Sequence, residues 1–344
     1  MKTYPMAVVT APRKIIFQER TLPPVSDNDV VIQVKAAAIC GSDLHIFKGK
    51  HPSAPLPAAV GHELAGQVLE VGQAVTHLKA GDRVTIEPVI ACGKCPACQR
   101  GQYHLCTEIS FQYRQGQGGF APFFVANENR VFKLPEGISY SEGALVEPLS
   151  VALHAVKKSG IRLAQSCAIF GAGAIGLLVL MLVQRTSGGK VWMVDIDPLR
   201  LQKALELGAW RTINNRDQDG LQVILDETEK MGVDHSFEAV GLEMTMVQAL
   251  KAVKKGGTTT LLGIFENPQL NLPANLIMQH EITLKGSQGY NWDFQDSLAL
   301  LDNSALDLKP LITHRLPLAD LQQGFEILLN PTHGAVKVVI EFPD

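Results

Sequence analysis

Apolar and polar positions change their pattern once along the chain. Over residues 1 to about 150, apolar residues come in short stretches broken by Gly and Pro, clearest at 30–36, 64–71, 83–87 and 120–125. Turn-forming clusters punctuate them, such as Ser26-Asp27-Asn28-Asp29 and Ala80-Gly81-Asp82. This pattern predicts a β-rich region. From about 150 to 287, strand-like runs near 168, 191, 211, 234, 258 and 282 alternate with helix-like segments. Six strands in such alternation predict a doubly wound parallel sheet. Beyond Gly286 the pattern predicts helices over 294–301 and 318–329 and a last strand over 335–342. A nucleotide-binding fold has no use for these, so they are expected to return to the first region. The expected division is 1–150 with 288–344, and 151–287.

The second region opens with the stretch around which the chain is organised. A short apolar run at 168–170 leads to Gly171, Gly173 and Gly176 at GxGxxG spacing, followed by helix formers. A second apolar run, 191–194, ends in Asp195, nineteen residues after the last glycine. Strand, tight turn, helix, strand and acid in this order form a dinucleotide-binding fingerprint. Gly171 serves the turn, Gly173 the approach of a pyrophosphate, and Gly176 close helix packing. Ala174 and Ile175 begin the helix, whose unpaired N–H groups and dipole favour an anion. Asp195 is expected to accept hydrogen bonds from both hydroxyls of an adenosine ribose and to repel a 2′-phosphate, which favours NAD over NADP. Arg200 either flanks that ribose or pairs with Asp197. The apolar run 175–183 is too short to span a bilayer and is closed by Gln184 and Arg185.

Composition narrows the partners. The 344 residues suffice for two cored domains, and apolar residues at 46% with charged residues at 19% are ordinary for a globular protein. A net charge of −3, without a basic stripe, provides no general attraction for nucleic acid or anionic membrane. The N-terminal segment lacks a secretory signal and no run is long enough to cross a membrane, so a cytoplasmic protein is expected. Of six cysteines, four fall within fifteen residues, which in a reducing compartment points to metal rather than disulfides.

Those four, Cys92, Cys95, Cys98 and Cys106, follow C-x2-C-x2-C-x7-C spacing. Four thiolates can close a tetrahedral shell around zinc with no open position, as a structural site requires; four cysteines also suit an iron–sulfur cluster. A second set is dispersed: Cys40 in AICGSDLH, His62 and Glu63 in VGHELAG, and Glu147 in LVEPLS. One thiolate, one imidazole and one or two carboxylates can hold a zinc while leaving a position for substrate. Next to Cys40, Asp43 is placed to hold the other ring nitrogen of a ligand histidine. Ser42 is close enough to set a hydroxyl by the reacting oxygen, and His45 can exchange a proton with solvent near neutral pH. Ile46, Phe111, Tyr113 and Tyr290 are candidate pocket-lining residues.

Together, Cys40-Gly41-Ser42-Asp43, Gly61-His62-Glu63, the four-cysteine segment, Glu147-Pro148 and the glycine fingerprint resemble the zinc-dependent medium-chain dehydrogenase/reductase family over essentially the whole chain. The resemblance implies an α/β protein with a GroES-like β-barrel catalytic domain, built from both ends of the chain, and a Rossmann cofactor domain. Glutamate before Pro148 resembles the sorbitol, threonine and butanediol dehydrogenase branch, which implies oxidation of a secondary alcohol to a ketone with NAD. It also implies a catalytic zinc on Cys40 and His62, with Glu63 and Glu147 as direct, alternating or water-linked ligands, and a structural zinc on the four cysteines. Ser42 and His45 would carry the proton away through the nicotinamide ribose. Two departures redirect the substrate. Gly289-Tyr290 stands where sorbitol dehydrogenases have Arg-Tyr, and the Gly-Arg usual in threonine dehydrogenases is absent. Polyols, sugar acids, cyclitols and diols therefore stand ahead of sorbitol itself, with an L-threonine 3-dehydrogenase-like reaction as the alternative. A zinc-free quinone reductase would have no use for Cys40, His62 and Glu63; a non-enzymatic NAD(H)-sensing protein is the reading from another class. The family implies a homodimer or homotetramer, with residues 253–263 expected to supply an intersubunit strand.

Overall fold

The structure is a computed structural model, and it describes residues 3–111, 116–330 and 334–343; Tyr113 lies outside them. The chain divides into two compact units, Met1–Glu147 with Asn291–Asn330 and Lys337–Asp344, and Pro148–Tyr290 with Pro331–Val336.

The first unit is built on the strand Asp29–Ala38, whose apolar side chains are nearly all buried. It pairs antiparallel with Glu63–Val71, Phe123–Asn127 and the C-terminal strand Lys337–Glu341. Ile312–Pro317 joins that last strand in parallel, so the chain's end completes a seven-stranded sheet begun near its start. The strand expected over 120–125 starts three residues late, at Phe123. Pro122 has no N–H to give to a ladder, and its carbonyl instead accepts from Val34 N. A smaller sheet holds Thr3–Ala11, Lys14–Thr21 and Ala58–Ala59.

One short helix interrupts the β-rich pattern where the chemistry was expected. Gly41–Phe47 carries Ser42, Asp43 and His45, and its Asp43 carboxylate accepts from Cys40 N at the helix start. Ile46 and Phe47 anchor it in the core, with the Phe47 ring 4.8 Å from that of Phe325 in the helix Leu321–Leu329. Burial of such side chains, about 1.5–3 kcal/mol each, fixes the helix and with it the polar face that Ser42 and His45 share at i, i+3 spacing.

An acidic group buried in the same unit gives the fold a pH dependence. Glu87 is 2% exposed, with Oε1 2.5 Å from Arg130 Nη1, and the Arg130 guanidinium lies over the Tyr103 ring at 4.5 Å. Burial pushes the Glu87 carboxyl up to about 6; Arg130 and Tyr103 pull it down, and Asp293 adds to the rise. The folded protein thus holds this proton more tightly than an unfolded chain, where the value is 4.5. The resulting contribution, about 2 kcal/mol, is fully present below that unfolded value and is lost as pH climbs through the folded one. A Glu87→Gln variant should therefore lose less stability than the parent between pH 4.5 and pH 6. Urea midpoints at both pH values check this, and equal pH dependence in the two proteins would refute it.

The second unit contains six parallel strands in the order Arg211–Asn214, Val191–Asp195, Cys167–Phe170, Val233–Glu238, Val253–Leu261, Thr283–Gly286. In sequence order this is 3-2-1-4-5-6, the doubly wound arrangement of a dinucleotide fold. Cys167–Phe170 and residues 191–194 are buried and wholly apolar, whereas the neighbouring strands also bury His235, Ser236, Glu238, Thr259 and Thr260. Within the region 253–263, from which an intersubunit strand is expected, residues 258–261 are paired on both sides, and the edges of the sheet within this unit are Arg211–Asn214 and Thr283–Gly286.

Candidate active site

The dispersed ligand set is assembled by strand register. Ala38 pairs with Glu63 on one side and with Val339 on the other. Cys40, two residues beyond Ala38, and His62, one residue before Glu63, therefore meet at the same end of three neighbouring strands. One ligand atom from each of Cys40, His62 and Glu63 lies within 4.8 Å of the other two. His62 is 6% exposed and Glu63 is fully buried.

Asp43 fixes the histidine. It is 1% exposed, and its Oδ1 accepts from Gly61 N at 3.1 Å and lies 3.6 Å from His62 Nδ1. With Nδ1 turned to a carboxylate, Nε2 is the nitrogen left for a metal. Burial opposes the positive charge of the imidazole, but Asp43 and Cys40 outweigh it and hold its pKa well above the ordinary value. Burial likewise opposes the Asp43 carboxylate, while His62 and the N–H groups of Cys40 and Gly61 hold its pKa below the usual range. A pocket that so strongly favours a cation, on one thiol, one imidazole and one carboxylate, fits a divalent ion of zinc's ligand preference.

Glu147 is 5% exposed in the first turn of the helix Val146–Ser159; it lies outside the trio of mutually close ligand atoms, yet near enough for its charge to act on Lys337 beside Glu63. A residue that the sequence reading missed sits among them instead. Lys337, 3% exposed, donates from Nζ to Ile39 O at 3.1 Å and to both carboxylate oxygens of Glu63, at 2.5 Å for Oε1. Its one visible signal was a lysine inside the otherwise apolar run AVKVVI. Ser42 and His45 are half-buried on the helix that follows Cys40. The Phe111 ring is centred 6.5 Å from that of His62, and Ile46 belongs to the core.

The four-cysteine segment closes on itself. The sulfurs of Cys92, Cys95, Cys98 and Cys106 lie within 4.8 Å of one another, and all six cysteines of the chain are free thiols. Backbone donors cradle the sulfurs, with Cys92 N and Glu108 N each 3.3 Å from Cys106 Sγ and Cys95 N 3.4 Å from Cys92 Sγ. Such donors lower the Cys95 thiol to about 6 and lower Cys106, while burial and the neighbouring sulfurs push Cys98 up to about 12. A cluster in which backbone donors favour thiolates at Cys95 and Cys106 while burial and the other sulfurs hold Cys98 protonated suits a central cation.

In the second unit, the glycine fingerprint forms the turn expected of it. Gly171 has φ +104°, and a Cβ on Gly176 would stand 1.8 Å from the Gly171 carbonyl oxygen, so neither position takes a side chain. A Cβ on Gly173 would meet no protein atom, which leaves space in front of the helix Ala174–Thr186 that Gly173 caps. Ala174 and Ile175 form its first turn. Asp195 ends its strand with Oδ2 2.6 Å from Ala172 N, while Oδ1 accepts from Ile196 N at 2.7 Å and Asp197 N at 2.9 Å. The acid is thus locked beside the glycine turn. Arg200 donates from Nε to Ala335 O at 2.9 Å and lies 3.6 Å from Asp197 Oδ2, the pairing that the sequence left open beside the ribose. Tyr290 is 1% exposed. Among the described residues, no helix is long and apolar enough to cross a membrane.

Comparison with known proteins agrees with this chemistry. Residues 26–136 match the alcohol dehydrogenase GroES-like domain and residues 174–303 the zinc-binding dehydrogenase family. The chain is 32% identical to sorbitol dehydrogenase of Bacillus subtilis over 97% of its own length and 96% of the relative's. It is 36% identical to L-idonate 5-dehydrogenase of Vitis vinifera, over 90% and 87% of the two chains. Among solved structures, a zinc-binding dehydrogenase from Sinorhizobium meliloti 1021 bound to NADP superposes with a TM-score of 0.92 at 28% identity, over 99% of this chain and 100% of that one. The chain therefore belongs to the zinc-dependent medium-chain dehydrogenase family, with a GroES-like and a Rossmann unit, in its sorbitol dehydrogenase-like branch.

Proposed function

We propose that the protein oxidises a secondary alcohol of a polyol or sugar acid to a ketone, with NAD as hydride acceptor. The single observation that carries this reading is the grouping of Cys40, His62 and Glu63 at one strand end, in a chain that also has a complete dinucleotide turn closed by Asp195. The named activities of the sorbitol and L-idonate relatives support the substrate class. Zinc, when bound, supplies the positive charge that makes an alcohol acidic, and NAD supplies the hydride acceptor.

The chain's own residues position and move the proton. Cys40, His62 and Glu63 hold the ion, with Asp43 fixing the His62 tautomer, and Glu147 adds negative charge to their surroundings. Ser42, in the helix that follows Cys40, accepts the alcohol's proton at Oγ as its own hydroxyl proton leaves towards His45, on the same helix face, which releases it to solvent. The four cysteines keep a structural zinc. The clustered thiols suit a reducing, cytoplasmic setting. A homodimer or homotetramer belongs to the same reading.

Kinetics with paired isomers test the substrate class. A secondary alcohol or polyol is expected to give a kcat/KM about tenfold or more above its primary isomer, with the ketone identified by NMR; preference for the primary alcohol would refute the reading. Ser42→Ala is expected to lower kcat near neutral pH by about 10²-fold, with metal content unchanged. A Ser42→Ala variant with full kcat would remove Ser42 from the proton path.

A further inference from the structure

Lys337 opens the strand Lys337–Glu341, and its ammonium's partners among the described residues belong to the metal pocket or border it. Nζ bonds both oxygens of Glu63 and the carbonyl of Ile39, the residue before Cys40. At 3% exposure beside a fully buried Glu63, neither charge can turn to solvent. Each ion costs several kcal/mol to desolvate, so each depends on the other.

We propose that Lys337 is the resident counter-cation of the metal pocket, holding Glu63 when no metal is bound and competing with the metal for that carboxylate. The proposal rests on the assignment of Cys40, His62 and Glu63 to the metal, and it makes Lys337 a positioning residue. A thermodynamic cycle fixes the sign of its effect. Without the ammonium, the metal-free protein keeps Glu63 buried with no compensating charge, whereas in the loaded protein the divalent ion compensates it. Removal therefore destabilises the metal-free form more than the loaded form. The difference must reappear as tighter metal binding. A lysine that only supported the strand would give the opposite result or none.

The test uses the zinc-loaded full chain. Zinc loss to a chelator and the thermal midpoints of loaded and stripped protein are compared for the parent, Lys337→Met, Lys337→Arg and Lys337→Met/Glu63→Gln. Zinc loss from this site is expected to slow by about tenfold in Lys337→Met, and the gap between loaded and stripped midpoints to widen. Lys337→Arg should restore the parent's behaviour, and adding Glu63→Gln should cancel the gain. Zinc lost at the parent's rate or faster from a folded Lys337→Met would overturn the proposal. Should that variant not fold even with zinc, Lys337→Gln, which keeps a donor for Ile39 while losing the charge, carries the same comparison. Cys40→Ser separates the two layers of the argument. If it holds as many zinc ions as the parent, the metal assignment is at fault; if it holds one fewer, the Lys337 comparison decides the counter-cation role alone.

Discussion

Replacement of His62 by alanine is expected to reduce kcat/KM by on the order of 10⁴-fold or more and to lower the zinc content by one ion per chain. The lost charge on the ion is what brings an alcohol's acidity within reach of neutral pH, a change of many pKa units in the analogous case of water, and each tenfold in rate corresponds to about 1.4 kcal/mol. The fold should survive. His62 sits in the pocket at a strand end, and Asp43 retains its bonds from Cys40 N and Gly61 N when the imidazole is gone. Circular dichroism and the Glu87-dependent pH profile report on the fold independently of activity. A His62→Ala protein with full zinc content and near-parent turnover would mean that the reaction is carried elsewhere.

The second large effect concerns the coenzyme. Asp195→Asn is expected to reduce the preference for NAD over NADP by about 10²-fold in kcat/KM. A hydrogen bond to a charged group contributes about 1.5–3 kcal/mol, and the substitution also removes the repulsion that a 2′-phosphate meets. Asparagine retains an acceptor oxygen of the right reach, so part of the bonding to Ala172, Ile196 and Asp197 is preserved and the glycine turn should hold its shape. The comparison is informative because the structural neighbour from Sinorhizobium meliloti was solved with NADP. If the parent already uses NADP as well as NAD, or if Asp195→Asn leaves the ratio unchanged, the acid does not select the coenzyme.

What could be read from the sequence follows from the distance over which each feature is determined. The first two strands of the second unit were visible because they are short, buried apolar runs, and the other four because they recur between helix-like segments, punctuated by turns. The four cysteines were visible because a metal loop is written in local spacing. The first unit was harder. Its opening hairpin pairs Thr3–Ala11 with Lys14–Thr21, yet the second strand is largely exposed, and its turn uses Arg13 at φ 60° where a glycine would have signalled it. Cys40, His62 and Glu63 could be named individually, but their meeting depends on the register of Ala38 with Glu63, a tertiary fact. Lys337 went unread because its partner Glu63 lies 274 residues away, and a lysine within an apolar strand carries no mark of what it faces. Glu147 illustrates the converse. Its motif was legible, while its place in a helix turn whose charge reaches Lys337 became apparent only in three dimensions.

Counting zinc in the same purified sample that is assayed for NADH production decides whether Cys40, His62 and Glu63 form a catalytic zinc site. Two ions per chain are expected, one for each of the two ligand clusters among the described residues, with NADH formed from secondary alcohols of a polyol or sugar-acid library, abolished by a chelator and restored by zinc. A single zinc with no turnover on any member of the library would leave only the four-cysteine site filled. That result would contradict the assignment of Cys40, His62 and Glu63 to catalysis.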